Sequence, residues 1–352
     1  AKAYRMFRSP SFAKLTKPGF ATYEDLFLPA LSRDEIRQAS ERYRVGKRSD
    51  CLGGYGLAIL RARRLECSMF FGRMNGHGHY DRLGIELFGM GQRVMPDLGY
   101  PQFAAESKSP PVWERNTISH NTVMVNERRQ DTGSAGRLEM FHSSRLVQLA
   151  EASAPRTYED APLYRRTIAL IGRDHPFFLD IFRVKGGRAH DYSVHGLEGT
   201  FTTYGIKLSK RPGTLAGKDV PYGYLYDDPQ LEMVEKARSY YSYRGSGYSY
   251  LYDVMLGAPV GPWSAEWRSP KATLRMLFPA ADQEVVVAKG NPPLRPGNPP
   301  YLTYVVLRNR GEALTSTFAS VGEVYAEKGR IRWARRLEAK CDRESASPVG
   351  IL

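Results

Sequence analysis

The chain is short of cysteine, of acidic residues and of long apolar runs, and each shortage excludes a class of protein. Its 352 residues include three cysteines, an odd number without the spacing of a zinc knuckle. A disulfide scaffold is therefore not expected, and buried packing is the expected role of these cysteines. No stretch approaches the roughly 20 uninterrupted apolar residues that span a bilayer. We expect no membrane span, and the N-terminal residues lack the apolar core of a signal peptide.

The residues that are present suffice for a folded core and make the chain strongly basic. The sequence is 42% hydrophobic and 12% aromatic, which excludes wholesale disorder. It has 51 Lys and Arg against 37 Asp and Glu, a formal net charge of +14. Such a charge attracts polyanions, so nucleic acid, acidic polysaccharide and anionic membrane surfaces are the candidate partners at this point.

Short apolar or alternating runs, separated by Gly, Pro and Asn, dominate the chain from about Gly53 onwards. These runs are rich in Val, Ile, Phe and Tyr, which is typical of strands. They are Tyr55–Ala62, Leu65–Phe71, Gly84–Met90, His120–Asn126, Leu138–Ser143, Leu146–Ala150, Tyr164–Ile171, Phe177–Val184, Tyr248–Met255, Leu274–Phe278, Glu284–Ala288 and Leu302–Leu307. About a dozen strands with few helices predict a mainly β protein, a large antiparallel β-sandwich.

One helix and two long loops are also predicted. The helix lies near Ser32–Tyr43, where Ser32 is followed three residues later by Glu35, as in a capping box. The loops are Val94–Thr117 and Gly290–Pro300. Because long loops in compact domains are usually functional or mobile, residues in and around Val94–Thr117 are candidates for a functional site.

Three of the seven histidines lie close together in the sequence, around an aspartate of the first loop. If the segment before that loop is a strand, His77, His79 and Asp81 share a face, because strand residues two apart point the same way. A His-x-His pair starts a metal site, which Asp97 and His120 would complete. His79, Asp97 and His120 would then provide two imidazoles and a carboxylate, a set that suits zinc with an open position or non-haem iron. Ordinary strand or turn histidines are the alternative.

A second histidine pair lies in the segment RAHDYSVH, where Asp191 separates His190 from His195. These histidines either reach the same site or belong to a strand in which a hydrogen-bonded imidazole fixes the sheet pairing.

The runs NGHGHYDRLGIELFGMGQRVMPDLGYP and WERNTISHNTVMVNERRQ resemble the C-terminal β-sandwich of heparinase II/III-type polysaccharide lyases. The order GHGHYDRL, PDLG, ISHNTV looks most like oligoalginate lyases. The resemblance is specific over residues 50–130 and continues more weakly to residue 325. It implies a supersandwich fold, His79, Asp97 and His120 as zinc ligands, and His77 as a catalytic residue that faces the sugar.

The resemblance also predicts how the chain is divided. In this family an α/α toroid precedes the sandwich and supplies a catalytic tyrosine and the groups that neutralise the substrate carboxylate. We therefore expect residues 1–48 to be the C-terminal remnant of a toroid with its linker, residues 49–325 the β-sandwich, and residues 326–352 a basic tail or the last strands. The chain would then hold an incomplete active site, with the toroid as its missing partner. Its start without an initiator methionine fits a mature form or a fragment.

The activity that the resemblance implies is β-elimination on an anionic polysaccharide or oligosaccharide that contains uronic acid, alginate or oligoalginate first. A lyase of heparin or heparan-type glycosaminoglycan and a non-catalytic carbohydrate-binding fragment are the alternatives. Arg82 is a candidate to bind the substrate carboxylate, and the alternative is that it is a solvated charge. Asp81 is a candidate to orient a zinc-bound imidazole, and the alternative is that it forms a plain salt bridge. His190 and His195 are candidates for substrate contact.

Two further classes of protein could account for the donor set or for the basic charge. A jelly-roll oxygenase, which holds Fe(II) with two histidines and a carboxylate, stays open on the donor set alone. A nucleic-acid partner is not expected, because no recognised nucleic-acid-binding motif is present. The resemblance further implies a periplasmic or extracellular location and is compatible with a homodimer.

Overall fold

The computed structural model describes residues 2–16, 31–41, 48–74, 78–101, 112–131, 133–228, 243–279, 283–337 and 350–351. The chain divides into two compact units, Ala1–Arg48 and Ser49–Leu352. Within the described ranges, no helix is both long enough and apolar enough to cross a membrane.

Three short helices lie in the described part of the first unit: α1 (Lys2–Phe7), α2 (Pro10–Leu15) and α3 (Arg33–Glu41). The sequence starts α3 as the capping box predicts, because Oγ of Ser32 accepts a hydrogen bond of 3.0 Å from the main-chain nitrogen of Glu35. Ile36 of α3 is buried in the small core of this unit. The helix predicted near Ser32–Tyr43 is therefore confirmed as far as Glu41, and residues 42–47 lie outside the described residues.

The second unit is built from antiparallel strands. In chain order they are β1 (Asp50–Leu52), β2 (Leu57–Ala62), β3 (Leu65–Phe70), β4 (Gly84–Gly89), β5 (Gln92–Met95), β6 (Val123–Val125), β7 (Arg137–Ser143), β8 (Val147–Ser153), β9 (Leu163–Ile171), β10 (Phe177–Lys185), β11 (Ala189–His195), β12 (Thr200–Tyr204), β13 (Ser209–Lys210), β14 (Tyr252–Gly257), β15 (Trp263–Arg268), β16 (Thr273–Phe278), β17 (Glu284–Gly290), β18 (Leu302–Arg310), β19 (Thr315–Tyr325), β20 (Arg336–Leu337) and β21 (Gly350–Ile351).

These strands form three large sheets and a two-stranded ribbon. The five-stranded sheet has the order β1-β2-β3-β4-β5, and the eight-stranded sheet has the order β12-β15-β16-β19-β10-β9-β8-β7. The six-stranded sheet has the order β13-β14-β17-β18-β11-β6, and β20 pairs with β21. The predicted fold class, mainly antiparallel β, is confirmed.

The six-stranded sheet is covered on both faces. Val194 on one face shares the main core with Phe182 of the eight-stranded sheet and Leu87 of the five-stranded sheet. The opposite face packs against a second core that includes Trp113 and Tyr250. For this reason every residue of β11 is buried, including the polar residues that alternate with Tyr192 and Val194.

The strand expected over His79 and Asp81 is wrong. Residues 78–83 form part of the loop between β3 and β4. The main-chain nitrogen of Gly84 donates to the carbonyl of Asp81 in a turn, and Leu83 has a φ of +57°, a conformation that strands do not use. The strand expected over His120–Asn126 is likewise shorter, because His120 ends a 3-10 helix before β6. His77 itself lies outside the described residues.

Strand β19 was missed by the sequence analysis although it is central to the eight-stranded sheet. Its segment contains Gly322, and an interior glycine weakens a strand prediction. Gly322 pairs with Phe178 of β10, and the ring of Phe178 fills the space that a Cβ atom at position 322 would need. The glycine is therefore required by close packing between neighbouring strands, which the sequence alone does not reveal.

Candidate metal centre

His79, Asp97 and His120 meet at one end of the five-stranded sheet, where three loops converge. His79 lies in the loop between β3 and β4, Asp97 follows β5, and His120 ends the 3-10 helix before β6. Nδ1 of His120 lies 3.0 Å from Oδ2 of Asp97, and Nδ1 of His79 lies 3.5 Å from the same oxygen. One donor atom from each residue lies within 4.8 Å of the others. The structure thus brings together the three side chains that the sequence predicts as ligands.

Burial controls the charges in this cluster. The two imidazoles are buried, whereas the Asp97 side chain is 24% exposed. Burial opposes the charged form of Asp97, but the hydrogen bonds and charges of His120 and His79 outweigh it and hold the pKa of the carboxyl well below its usual range. Burial also opposes a charge on His120, but Asp97 outweighs it and raises the pKa of that imidazole. Asp97 is therefore an ionised acceptor between two imidazoles.

The loop that carries His79 is held by its neighbour Tyr80. The main-chain nitrogen of Tyr80 donates to the carbonyl of Arg115 at 3.0 Å, and the hydroxyl of Thr117 donates to the carbonyl of Tyr80 at 2.7 Å. The guanidinium groups of Arg115 and Arg129 lie over the Tyr80 ring, at 5.4 and 3.7 Å from its centre. These contacts tie the histidine loop to the segment that carries His120, so the two imidazoles approach each other without a strand between them.

Asn121 ties the other two segments together. Its side-chain amide donates to the carbonyl of Ile85 at 3.2 Å, and its Oδ1 accepts a bond of 2.8 Å from the main-chain nitrogen of His195. The carbonyl of Asn121 accepts a 2.5 Å bond from Arg166, which also donates to the carbonyl of Leu83 at 2.6 Å. Asn121 therefore connects β4, β11 and the buried Arg166 directly beside His120.

A cavity of about 390 Å³ opens beside the three ligand candidates. Its described lining comprises Tyr55, Leu57, Ser68, Phe70, Gly78, His79, Asp81, Gly84, Ile85, Glu86, Asp97, Gly99, Tyr100, His120 and Asn121. This set holds three carboxylates and no lysine or arginine. Burial raises the pKa values of Asp81 and Glu86, as expected for acids crowded into one enclosed space.

The residues present fit a divalent cation. Nε2 of His79 and Nε2 of His120 are buried, and neither has a hydrogen-bond partner among the described residues. Buried polar atoms without partners are rare and call for an explanation such as a bound ion. Two imidazoles and a carboxylate are donors that zinc binds in sites with an open position. A divalent charge would also offset the carboxylates that line the cavity.

The structure places Asp81 and Arg82 differently, although they are adjacent. Asp81 lines the cavity, and the hydrogen bonds of the described residues include none from an imidazole to its carboxylate. The Arg82 side chain is buried away from the cavity lining, with its Nη1 donating to the carbonyl of Asp131. Its main-chain nitrogen donates to Oε1 of Gln130 at 2.7 Å. In this arrangement Arg82 braces the loop rather than facing the cavity.

His190 and His195 are completely buried in β11. Nδ1 of His190 lies 2.8 Å from Oγ of Ser316, and its Nε2 lies 2.6 Å from the carbonyl of Gly186. Nε2 of His195 lies 2.7 Å from the carbonyl of Pro96, next to Asp97, and burial lowers the pKa of His195 to about 4. Neither imidazole presents a surface to a substrate. Their contacts match the alternative that the sequence left open, in which a buried histidine fixes strand packing.

Two residues of this site were not singled out from the sequence. Asn121 follows His120 in the SHNTV motif, and Tyr100 follows the PDLG motif. The Tyr100 ring lies 4.9 Å from the His79 ring, measured between centres, and Tyr100 lines the cavity. Both lie inside the motifs that carry the resemblance, so the available signal was their position beside the predicted ligands.

The part of the chain that carries this geometry matches a known family model. Residues 45–207, which include all three ligand candidates, match the family model described as heparinase II/III-like, C-terminal. The chain is similar to an alginate lyase of Stenotrophomonas maltophilia, with 28% identity over 228 residues, 54% of this chain and 30% of the relative. It is also similar to an exo-oligoalginate lyase of Saccharophagus degradans, with 26% identity over 137 residues, 34% of this chain and 18% of the relative.

The fold resembles that of a solved heparan sulfate lyase, HepC from Pedobacter heparinus. The TM-score is 0.60 at 15% sequence identity, and the match covers 97% of this chain and 44% of that one. The matched regions amount to less than half the length of each of these three relatives. The match of residues 45–207 to the heparinase II/III-like, C-terminal family model confirms the resemblance identified from the sequence motifs.

Proposed function

We propose that this chain is the β-sandwich part of a polysaccharide lyase that cleaves uronic-acid polysaccharide by β-elimination, with alginate or its oligomers as substrate. The observation that carries the proposal is the convergence of His79, Asp97 and His120 on one cavity, from three motifs inside the matched region. The names of the two curated relatives support alginate over other uronates.

The proposed reaction transfers a proton and breaks one carbon–oxygen bond. A base removes the proton on C5 of the uronate, and the electron pair left behind forms the C4–C5 double bond. The C4–O bond breaks at the same time, its electrons pass to the glycosidic oxygen, and that oxygen takes up a proton. Negative charge spreads into the carboxylate during this process, so cationic or hydrogen-donating groups must stabilise it. We propose His77 as the side chain that exchanges a proton with the sugar.

We propose zinc as the resident metal, held by His79, Asp97 and His120. When bound, it supplies positive charge to the cavity wall and holds the three loops together. Asp97 stays ionised and keeps both imidazoles oriented. Tyr100 packs against His79 and walls the cavity, while Asp81 contributes a carboxylate beside the imidazoles.

We further propose that the groups that neutralise the substrate carboxylate lie outside this cavity. Among its described lining residues there is no lysine or arginine, and the substrate is itself an anion. This composition supports an active site completed by another part of the protein, as expected for a toroid. We also propose a periplasmic or extracellular location, where polymeric alginate is accessible, and fractionation of the source cells tests this.

The test of the function is the appearance of the unsaturated product. The full-length protein is incubated with alginate, heparan sulfate and a neutral glucan, and ultraviolet absorbance of the C4–C5 double bond is followed. We expect absorbance to grow on alginate, to fall by at least about 100-fold in His77→Ala, and to persist in His142→Ala, an exposed histidine of β7. Growth on heparan sulfate alone would reassign the substrate. A flat trace on every uronate together with retained binding would make the protein a carbohydrate-binding module.

A further inference from the structure

A second and larger groove, of about 950 Å³, lies elsewhere on the sandwich and shares no lining residue with the metal cavity. We name it the basic groove. It is lined by Arg63, Arg64, Leu65, Met90, Asp174, His175, Pro176, Phe177, Arg275, Glu323, Val324, Tyr325, Ala326, Glu327, Lys328, Gly329, Arg330, Ile331 and Arg332. Cationic side chains outnumber carboxylates in this lining, whereas the described lining of the metal cavity has three carboxylates and no lysine or arginine.

Residues 326–332, which follow β19, form one wall of the basic groove, and contacts with Glu323 and Arg275 hold this segment in place. The side chain of Glu323 accepts hydrogen bonds from the main-chain nitrogens of Arg330, at 2.7 Å, and Ile331, at 3.3 Å. Arg275 pairs with Glu323 and donates to the carbonyl of Ile331. Ile331 and Ala334 pack onto the cluster that contains Leu277 and Val321 of the eight-stranded sheet. This wall therefore has a defined backbone over residues 326–334.

The outer side of the same segment is cationic. Its exposed basic side chains are Lys328, Arg330, Arg332, Arg335 and Arg336. Among the described residues, none of these five forms an ion pair with a carboxylate, in contrast to Arg63 with Asp174 and Arg275 with Glu323. Among the carboxylates that line the groove, Asp174 and Glu323 form ion pairs, whereas Glu327 forms none with a basic side chain of the described residues. Positive charge is therefore left uncompensated along one short stretch of fixed backbone.

An exposed tryptophan continues this surface. Trp333 directly follows the lining residue Arg332 and is 54% exposed, and the guanidinium of Arg335 lies 5.4 Å from the centre of its ring. An indole face can pack against the apolar face of a pyranose ring, while guanidinium groups bind sugar carboxylates through paired hydrogen bonds.

We propose that the basic groove and Trp333 bind a stretch of anionic polysaccharide at a site separate from the metal cavity. This inference rests on the polyuronate substrate proposed above, since a uronate polymer presents a carboxylate on every sugar unit and would match the cation row. The metal cavity is lined by carboxylates and therefore attracts a polyanion poorly. The basic groove instead binds the polymer and keeps its segments near the protein.

The test measures binding without turnover. Affinity of the full chain for alginate polymer is determined by calorimetry or affinity electrophoresis at low and physiological salt, with dextran as the neutral polymer. Arg330→Glu with Arg332→Glu should weaken binding by about tenfold and reduce its salt dependence. Trp333→Ala should weaken binding without changing the salt dependence, because it removes no charge. All three positions are exposed, so these variants are expected to fold.

The matched control is Arg128→Glu with Arg145→Glu, which makes the same change in net charge at two exposed arginines that line neither cavity. It should bind alginate as the wild type does. If the control and groove variants lose the same affinity for alginate, the loss is due to net charge alone and the proposal is overturned. Groove variants that bind alginate as the wild type does would also overturn it. Stronger binding to DNA than to alginate, lost in the same variants, would also overturn it. Turnover of a short oligoalginate reports separately on the proposed lyase function, because it does not need the groove.

Discussion

Asp97 is the residue on which the candidate metal centre depends. Its Oδ1 accepts a hydrogen bond of 2.7 Å from the main-chain nitrogen of Gly99, so the carboxylate is held by its own loop. Its Oδ2 faces Nδ1 of both His79 and His120. Gly99 has a φ of +67°, a conformation that glycine adopts without strain, and this lets the chain turn back toward the carboxylate. Oδ1 of Asp97 therefore fixes the loop, and Oδ2 faces the two imidazoles.

Replacement of the ligands tests the metal assignment. His79→Ala, Asp97→Asn and His120→Ala should each lower bound zinc from about one ion per chain to nearly none and reduce thermal stability, because a site formed only in the folded chain stabilises that chain. Elemental analysis of the purified variants measures this. His77→Ala should retain zinc. Equal loss of zinc in all four variants would mean that His77 is a ligand and not the catalytic group.

The donor types of this site were predictable from the sequence, and the supporting roles were not. His79, Asp97 and His120 stand out because their motifs have a recognisable order. His190 and His195 look similar in sequence, yet both are buried and act within the sheet. The difference lies in what surrounds each ring, and those neighbours come from distant parts of the chain.

The loops of the site are supported by an ion pair between neighbouring strands. Arg166 of β9 and Asp180 of β10 form two hydrogen bonds, of 2.9 and 2.6 Å, and both side chains are almost fully buried. Asp180 also accepts a 2.5 Å bond from the hydroxyl of Tyr192. The remaining donors of Arg166 reach the carbonyls of Leu83 and Asn121, which flank the metal ligands. Strand pairing in the eight-stranded sheet thereby positions two loops of the site.

Removal of this arginine should be costly. Arg166→Met should lower the free energy of unfolding by about 3–5 kcal/mol, because it leaves the buried charge of Asp180 unpaired. Denaturant titration measures the loss, and zinc affinity should fall as well because two loop carbonyls lose their donor. Arg166→Met with Asp180→Leu should recover part of the stability but not the zinc affinity.

The control for this experiment is Arg188→Met, which breaks an exposed pair with Glu312. It should cost no more than about 1 kcal/mol, since exposed ion pairs contribute little. If Arg166→Met costs no more than Arg188→Met, the buried pair does not support the site.

Across the second unit, the candidate metal centre connects parts that pack into different sheets. His79 and Asp97 belong to loops of the five-stranded sheet, whereas His120 precedes β6 of the six-stranded sheet. A metal bound by all three would therefore join two sheets at one edge of the main core. Ligands that bind the native state alone stabilise it by mass action, so removal of the metal should weaken the whole unit.

Chelation tests this linkage. Treatment with EDTA should lower the midpoint of thermal unfolding by about 5 °C or more, and added zinc should restore it. Differential scanning calorimetry measures the shift. His120→Ala should already unfold at the lower temperature and should not respond to EDTA. A wild-type protein indifferent to chelation, or a variant that still responds, would contradict the proposed site.

The sequence by itself determined the strand-rich composition, the basic charge, the donor types and the motif order that identifies the domain. Composition and charge can be read directly from the residues present, and each motif is contiguous, so none of these properties depends on how distant segments pack. Only the tertiary structure decided that His79 lies in a loop, that β19 lies near the centre of the eight-stranded sheet with Gly322 in its interior, and that residues 326–332 form a fixed cationic wall. Each of these features depends on contacts between segments far apart in the chain, such as Tyr80 with Arg115 or Arg275 with Ile331, and no local pattern encodes them.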